Sequence, residues 1–309
     1  MKANITALID NSEPYRKKSF TCQVNFSLLL CSMEFKKVFL AIKIVAVLYV
    51  LLLIIVYGGQ RFIIFHPDRM AKEEPFTFDA SFKEHFLETA PGIQINYLHF
   101  KPTTSSKGLI LYFHGNADNL KRWGSYHTAF TDRGYDVIMP DYRGYGKSDG
   151  QVSEEETYQD MRILYKHVYK RLQPKELIVY GRSLGSGVAT TLAKEAPVKY
   201  LILETPFYSI PSVFSDQLQS IWLPFSFRYR FPNFENITQV KCPIVIFHGT
   251  KDRVVPYRNA IKLEPILKKE DTFVAITDGT HHNLSTYEVY QHKMNELLGF
   301  TNTSNERKK

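Results

Sequence analysis

Cysteine is scarce in this chain: Cys22, Cys31 and Cys242 are three residues in 309, with none of the close spacings of a disulfide framework or a zinc site. Chemistry that depends on paired thiols or on a cysteine-held metal is thereby excluded, and Cys242, beside an apolar run, reads as a small buried residue. Excess charge is also lacking over most of the length. The formal charge is +8, but residues 1–61 carry eight Lys or Arg against three Asp or Glu, which leaves the rest of the chain only three charges positive. A body so near neutrality has no nucleic-acid footprint, whereas a basic flank beside a long apolar run is a membrane topology signal.

Long apolar runs are confined to one place, residues 38–57, interrupted only by Lys43. At about 1.5 Å per residue this run spans roughly 30 Å, the thickness of a hydrocarbon core, and Lys43 lies close enough to one end to snorkel. Residues 51–56 have no polar face, which argues against a soluble core helix, and the run exceeds the apolar stretch of a cleaved signal, for which 56–58 is an imperfect cleavage site. Basic residues at 16–18, 36 and 37 outnumber Arg61, Arg69 and Lys72 on the far side and predict the N-terminus inside. Met33 begins a normal signal-anchor start, so residues 1–32 read as an upstream extension. Cys31 lacks the small residue that a lipoprotein signal requires in place of Leu30.

Beyond the run, short apolar segments at 84–89, 93–100, 108–113, 136–140, 176–180, 200–203, 244–247 and 273–276 read as strands. They alternate with helical patterns near 119–133, 154–172, 257–267 and 286–298, the signature of a mostly parallel sheet covered on both faces. The sequence GRSLG at 181–185 falls between a strand and a small-residue helix, the context that holds a nucleophilic serine hydroxyl clear of its neighbours. Asp252 follows the strand at 244–247, and the pair His281-His282 follows the strand at 273–276, so nucleophile, acid and base come in that chain order, each at a strand's carboxyl end.

The motifs YFHGNA (112–117), DYRGYGKS (141–148), GRSLGSG (181–187), FHGTKD (247–252) and HN (282–283) resemble the α/β-hydrolase superfamily. Within it they resemble the branch related to prolyl oligopeptidases and, there, single-pass membrane alpha/beta-hydrolase domain-containing proteins. The resemblance implies a mostly parallel central sheet with helices on both faces, no cofactor and no metal. It implies Ser183 as nucleophile, Asp252 as acid, with Glu204 as the substitute, and an oxyanion hole from the backbone N–H groups of Leu184 and Asn116. Relatives carry one histidine where this chain has two. His282 is favoured as base because Asn283 follows it, with His281 as the alternative and otherwise a turn residue.

His114 is expected to order the oxyanion loop, and the loop from Asp141 to Gly150 to carry Arg143 to nearby carboxylates. The expected organisation is a basic segment 1–37, a signal anchor 38–57, a juxtamembrane linker 58–80, a hydrolase domain 81–300 with a cap at 205–240, and a polar tail 301–309. The cap's aromatics, Phe207, Tyr208, Phe214, Trp222, Phe225, Phe227, Tyr229, Phe231 and Phe234, either wall an acyl site, touch lipid, or pack the cap onto the sheet.

The expected activity is hydrolysis of lipid-like or acylated-protein esters or thioesters through an acyl-enzyme, by a protein tethered to the bilayer. Acyl transfer to an alcohol uses the same intermediate. A peptidase, which in that branch has a propeller or large cap, and a catalytically silent binding protein are the alternatives.

Overall fold

The computed structural model describes residues 26–218 and 226–300, with side chains from Phe35 onward. The basic residues at 16–18, Cys22, Trp222, Phe225 and the tail 301–309 lie outside the described residues. The chain divides into two compact units at Gly58 and Gly59.

The first unit is most of helix α1, Phe26–Ile64. Within its stretch Phe35–Ile64 an 18-residue window has a mean hydropathy of 3.1 and is not buried within the chain, and the stretch is long and apolar enough to cross a membrane. The helix outruns the expected 38–57 at both ends, because neither the Lys36-Lys37 pair nor the Gly58-Gly59 pair interrupts it, and no proline lies within it to break its hydrogen bonds.

In the second unit, β1 (His66–Pro67) pairs with β5 (Ala117–Asp118) in a two-stranded ladder apart from the main sheet. The main sheet holds β2 (Phe82–Ala90), β3 (Ile93–Phe100), β4 (Leu109–Phe113), β6 (Asp136–Pro140), β7 (Leu177–Arg182), β8 (Tyr200–Glu204), β9 (Ile244–Gly249) and β10 (Thr272–Ile276). Its order is β10-β9-β8-β7-β4-β6-β3-β2. The six strands from β10 to β6 in that order are mutually parallel, and the β2–β3 hairpin adds the antiparallel edge. Crossover helices cover both faces, so the central strands are buried along their whole length, as in β4 and β7.

Side-chain alternation splits the core. Leu111, Val179, Leu203 and Ile246 face the helices α4 (Glu154–Leu172) and α5 (Leu184–Ala193), and Tyr112, Tyr180, Ile202 and Phe247 face α9 (Glu288–Leu297). Helix α4 begins at Ser153, whose hydroxyl accepts the Glu156 N–H and donates to the Glu156 carboxylate, with three glutamates in its positive first turn.

Two expected helices are broken. The stretch 119–133 is α2 (Leu120–Trp123), a 3-10 turn Gly124–His127 and α3 (Thr128–Thr131), drawn to the sheet by His127 stacking on Phe100 at 4.3 Å. The stretch 257–267 becomes a 3-10 helix at Ile261–Ile266, where Pro265 has no N–H for an α-helical bond. The expected linker 58–80 is corrected as well: Gln60, Ile64, Phe65 and Phe76 are buried in the second unit, so this stretch is part of the domain.

Candidate active site

Ser183 joins β7 to α5 at φ 51 and ψ −116, a left-handed backbone that costs a non-glycine residue about 1–3 kcal/mol and is held by its neighbours. Its N–H donates to the Glu204 carbonyl at 2.9 Å, tying the turn to the end of β8. The flanking glycines are needed for close approach. A Cβ on Gly185 would stand 2.1 Å from the Phe113 carbonyl oxygen, and one on Gly181 would stand 2.5 Å from the Ala189 methyl.

The imidazole at Ser183 is that of His281. Its Nε2 is 3.1 Å from the Ser183 Oγ and its Nδ1 is 2.7 Å from the Asp252 Oδ2, with His281 and Asp252 each 6% exposed. The other Asp252 oxygen accepts the N–H groups of Val254 at 2.8 Å and Val255 at 2.9 Å, which orients the carboxylate. His248 packs 3.5 Å from Asp252, its pKa lowered chiefly by burial, and donates its Nε2 proton to the Val255 carbonyl.

The expectation of His282 is therefore corrected. Asp278, at φ 60, turns the chain after β10, and the Asn283 side chain accepts the Thr280 N–H at 2.7 Å and its hydroxyl at 2.9 Å. That closed turn points residue 281 inward and leaves His282 exposed, its ring edge-on to His281. Asn283 thus marks the turn, and the residue brought inward lies two before it.

Glu204, the substitute acid, contacts Tyr180 and Arg182 instead. Arg182 is a site residue that sequence reasoning missed: its Nη2 donates to the His281 carbonyl at 3.1 Å, from a buried position over Tyr126. It occupies the variable position of G-x-S-x-G, so no spacing rule singles it out.

On the other side of Ser183 lies the loop after β4. A Cβ at Gly115 would be 3.7 Å from the Ser183 Cβ, and Leu184 opens α5, where N–H groups have no partner within the helix. His114 is fully buried, with Nδ1 2.7 Å from the Gly115 carbonyl and Nε2 3.3 Å from Asp141, so it braces this loop. The Asn116 side chain is engaged by Tyr145, His66 and Ile64. In the neighbouring loop Arg143 forks onto Asp160 at 3.0 and 2.7 Å and reaches Glu156 at 2.9 Å.

Of the cap aromatics, Phe207, Tyr229 and Phe231 are buried in the α5 core, and Tyr208 stacks on Phe234 at 4.5 Å. These side chains pack the cap onto the sheet. Cys242 is a partly buried free thiol whose pKa burial raises to about 11. Among the described residues no cluster of three or more His, Cys, Asp or Glu is arranged to hold a metal ion.

The family model described as Serine aminopeptidase, S33 matches residues 104–231. The chain is 36% identical over 191 residues to lysophosphatidylserine lipase ABHD12 of Danio rerio, covering 53% of this chain and 48% of that protein, so it spans about half of that relative. It is 26% identical over 214 residues to alpha/beta hydrolase domain-containing protein 17B of Xenopus laevis, covering 68% and 73%. Among solved structures, an esterase of Pyrococcus furiosus superposes with a TM-score of 0.61 at 18% identity, over 76% of this chain and 98% of that one. An α/β serine hydrolase without a lid from Xanthomonas campestris gives 0.54 at 16%, over 73% and 97%; likenesses this distant speak for the fold alone. The family model and the relatives point the same way, and the chain is similar to alpha/beta-hydrolase domain-containing proteins over its central part, on a fold shared with solved esterases.

Proposed function

We propose that this chain is a membrane-anchored esterase that cleaves acyl esters of lipid-like substrates through Ser183, His281 and Asp252. The continuous contact from the Ser183 Oγ through His281 to Asp252, at 3.1 and 2.7 Å, carries the reading. His281 takes the hydroxyl proton as Oγ attacks the acyl carbon and returns it to the leaving alcohol, and a water then repeats the sequence in reverse to free the acid. Asp252 holds the imidazole with Nδ1–H toward it, which leaves Nε2 free to accept, and stabilises the imidazolium that forms. The backbone N–H groups of Leu184 and Asn116 receive the tetrahedral oxyanion, each donor typically worth about 3 kcal/mol in the transition state.

The apolar helix Phe35–Ile64 supports a bilayer anchor, with the N-terminus inside by its basic flank, and the lipase among the relatives supports a lipid ester. A thioester reacts through the same intermediate. The name of the matched family favours a second reading, an aminopeptidase.

The test is fluorophosphonate labelling of the full chain in membranes, followed by a panel of lysophospholipids, acyl thioesters and aminoacyl amides. Labelling lost in Ser183→Ala and His281→Ala but kept in His282→Ala, with turnover of a lysophospholipid, is the expected result. Turnover of aminoacyl amides alone would replace the substrate class. A folded wild type that does not label would overturn the enzyme reading.

A further inference from the structure

We infer that residues Gln60 to Met70, the last turn of the apolar helix and the stretch after it, are a working part of the oxyanion loop, and that the Asn116 side chain is the positioning residue through which they act. This rests on the hydrolase reading above and names a dependence of that site.

The proposed donor at Asn116 is a backbone N–H in a loop, and a loop holds a group to sub-ångström accuracy only if something else fixes it. Here the fixing comes largely from the segment at the end of the helix and just after it. The Asn116 Nδ2 donates to the Ile64 carbonyl at 2.5 Å and lies 3.1 Å from the His66 Nδ1. The Oδ1 accepts the His66 N–H at 3.3 Å and the Tyr145 hydroxyl at 2.9 Å. Immediately after Asn116, Ala117 and Asp118 pair in parallel with His66 and Pro67. Asp68 then accepts from the Asn119 side chain through its carbonyl at 3.2 Å and its carboxylate at 3.0 Å. The loop is thus gripped over four successive residues by a segment some fifty positions earlier.

The segment is itself anchored to the other wall of the site. The Gln60 side chain is 2% exposed and pairs like a strand edge, accepting the Arg228 N–H at 2.7 Å and donating to the Ser226 carbonyl at 2.9 Å. The ring of Phe65, 3% exposed, stands 5.0 Å from Tyr229 and 6.1 Å from Phe231. Phe231 lies against Gly187 of α5, the helix that brings the Leu184 N–H. One short segment therefore braces the backgrounds of both proposed donors. A passive connection needs apolar plugs such as Ile64 and Phe65, but it has no use for a carbonyl and an imidazole both directed at the side chain of an oxyanion-loop residue. A two-residue ladder is marginal alone, so it persists only while its flanks stay docked. Misplacement of a donor by about 1 Å is enough to cost on the order of 10²-fold in rate. Hydrolysis consequently depends on how the chain emerges from its anchor, although no residue of the segment touches the reacting atoms.

The test is made on full-length protein in membranes, reading Tm, fluorophosphonate labelling rate, and kcat and KM separately on a short-chain ester, for wild type, Asn116→Ala, Asn116→Asp, Gln60→Ala and the Gln60→Ala/Asn116→Ala pair. The expected result is a kcat loss of about 10²-fold in Asn116→Ala with KM within about threefold. Partial recovery in Asn116→Asp, which keeps the acceptor for Tyr145 and His66, and about a tenfold kcat loss in Gln60→Ala are expected with it. The pair should be no worse than Asn116→Ala alone, because Gln60 acts on the donor through the contacts that the Asn116 side chain makes. A wild type that labels, together with variants that keep kcat within about threefold or change KM and kcat alike, overturns the inference alone. If Asn116→Ala does not fold, Gln60→Ala decides by the same split. A wild type that neither labels nor turns over an ester overturns the hydrolase reading and this inference with it.

Discussion

At Gly185 the Phe113 carbonyl leaves no space for a methyl group, since the added carbon would sit 2.1 Å from that oxygen. Gly185→Ala must therefore part β4 from α5, and a loss of at least about 3 kcal/mol in urea unfolding is expected, with labelling of Ser183 lost in parallel. The two adjacent histidines separate cleanly by function under the proposed mechanism. His281→Ala is expected to lower kcat on an activated ester by at least about 10⁴-fold, and His282→Ala by less than about tenfold. Equal losses in the two variants would contradict the assignment of the base. That Ser183 and Asp252 come to one place is legible in the linear chain because each stands alone in a short loop after a strand. Which histidine joins them is not, because two neighbours share the loop and only the closure of the Thr280–Asn283 turn decides which ring faces inward.

Among the elements, α4 is tied to the loop after β6 by Arg143, whose fork meets a carboxylate, Asp160, that has no access to solvent. Arg143→Met leaves that charge buried and unpaired, for which a loss of about 3–5 kcal/mol in chemical unfolding is expected. Glu156→Gln, at the exposed end of the same cluster, is expected to cost less than about 1 kcal/mol. The contrast tests burial as the source of the effect, since both carboxylates touch one guanidinium. Most elements were readable: β3, β6 and α4 have the expected bounds, because an isolated apolar alternation or a capped amphipathic pattern has one local solution. The helices near 119–133 and 257–267 were not, because His127 stacking on Phe100 and the missing N–H of Pro265 alter the local winding.

For the whole molecule, buried and half-buried neutral histidines set an acid limit. His248, His127 and His85 all have pKa values lowered, chiefly by burial, from 6.5. The unfolded chain then takes up protons near pH 6.5 that the folded chain refuses, so the contribution is intact above that pH and is lost as pH falls from 6.5 toward the folded values. The carboxyls of buried Asp141 and half-buried Glu154, raised chiefly by burial, act in the opposite sense. Thermal melting is expected to show Tm constant near pH 7 to 8 and declining between pH 6.5 and 5.5, with part of the slope removed in His127→Gln. A Tm flat across that interval would show that these rings are hydrated.

By itself the sequence determined the element types, the parallel sheet, the chain order of Ser183, Asp252 and the pair His281-His282 at strand ends, and the apolar helix. These follow from periodicity, turn residues and run length, which are properties of contiguous residues. Only the tertiary structure decided that His281 faces Ser183, that Arg182 holds the His281 carbonyl, that Phe207, Tyr229 and Phe231 of the cap serve packing, and that residues 59–80 are built into the domain. Each of these depends on contacts between segments far apart in the chain, whose partners a local pattern does not name. The grip of residues 64–68 on the loop at 116–119 is the clearest case, because each half reads alone as a polar connection and acquires its role only when the sheet has brought the two together.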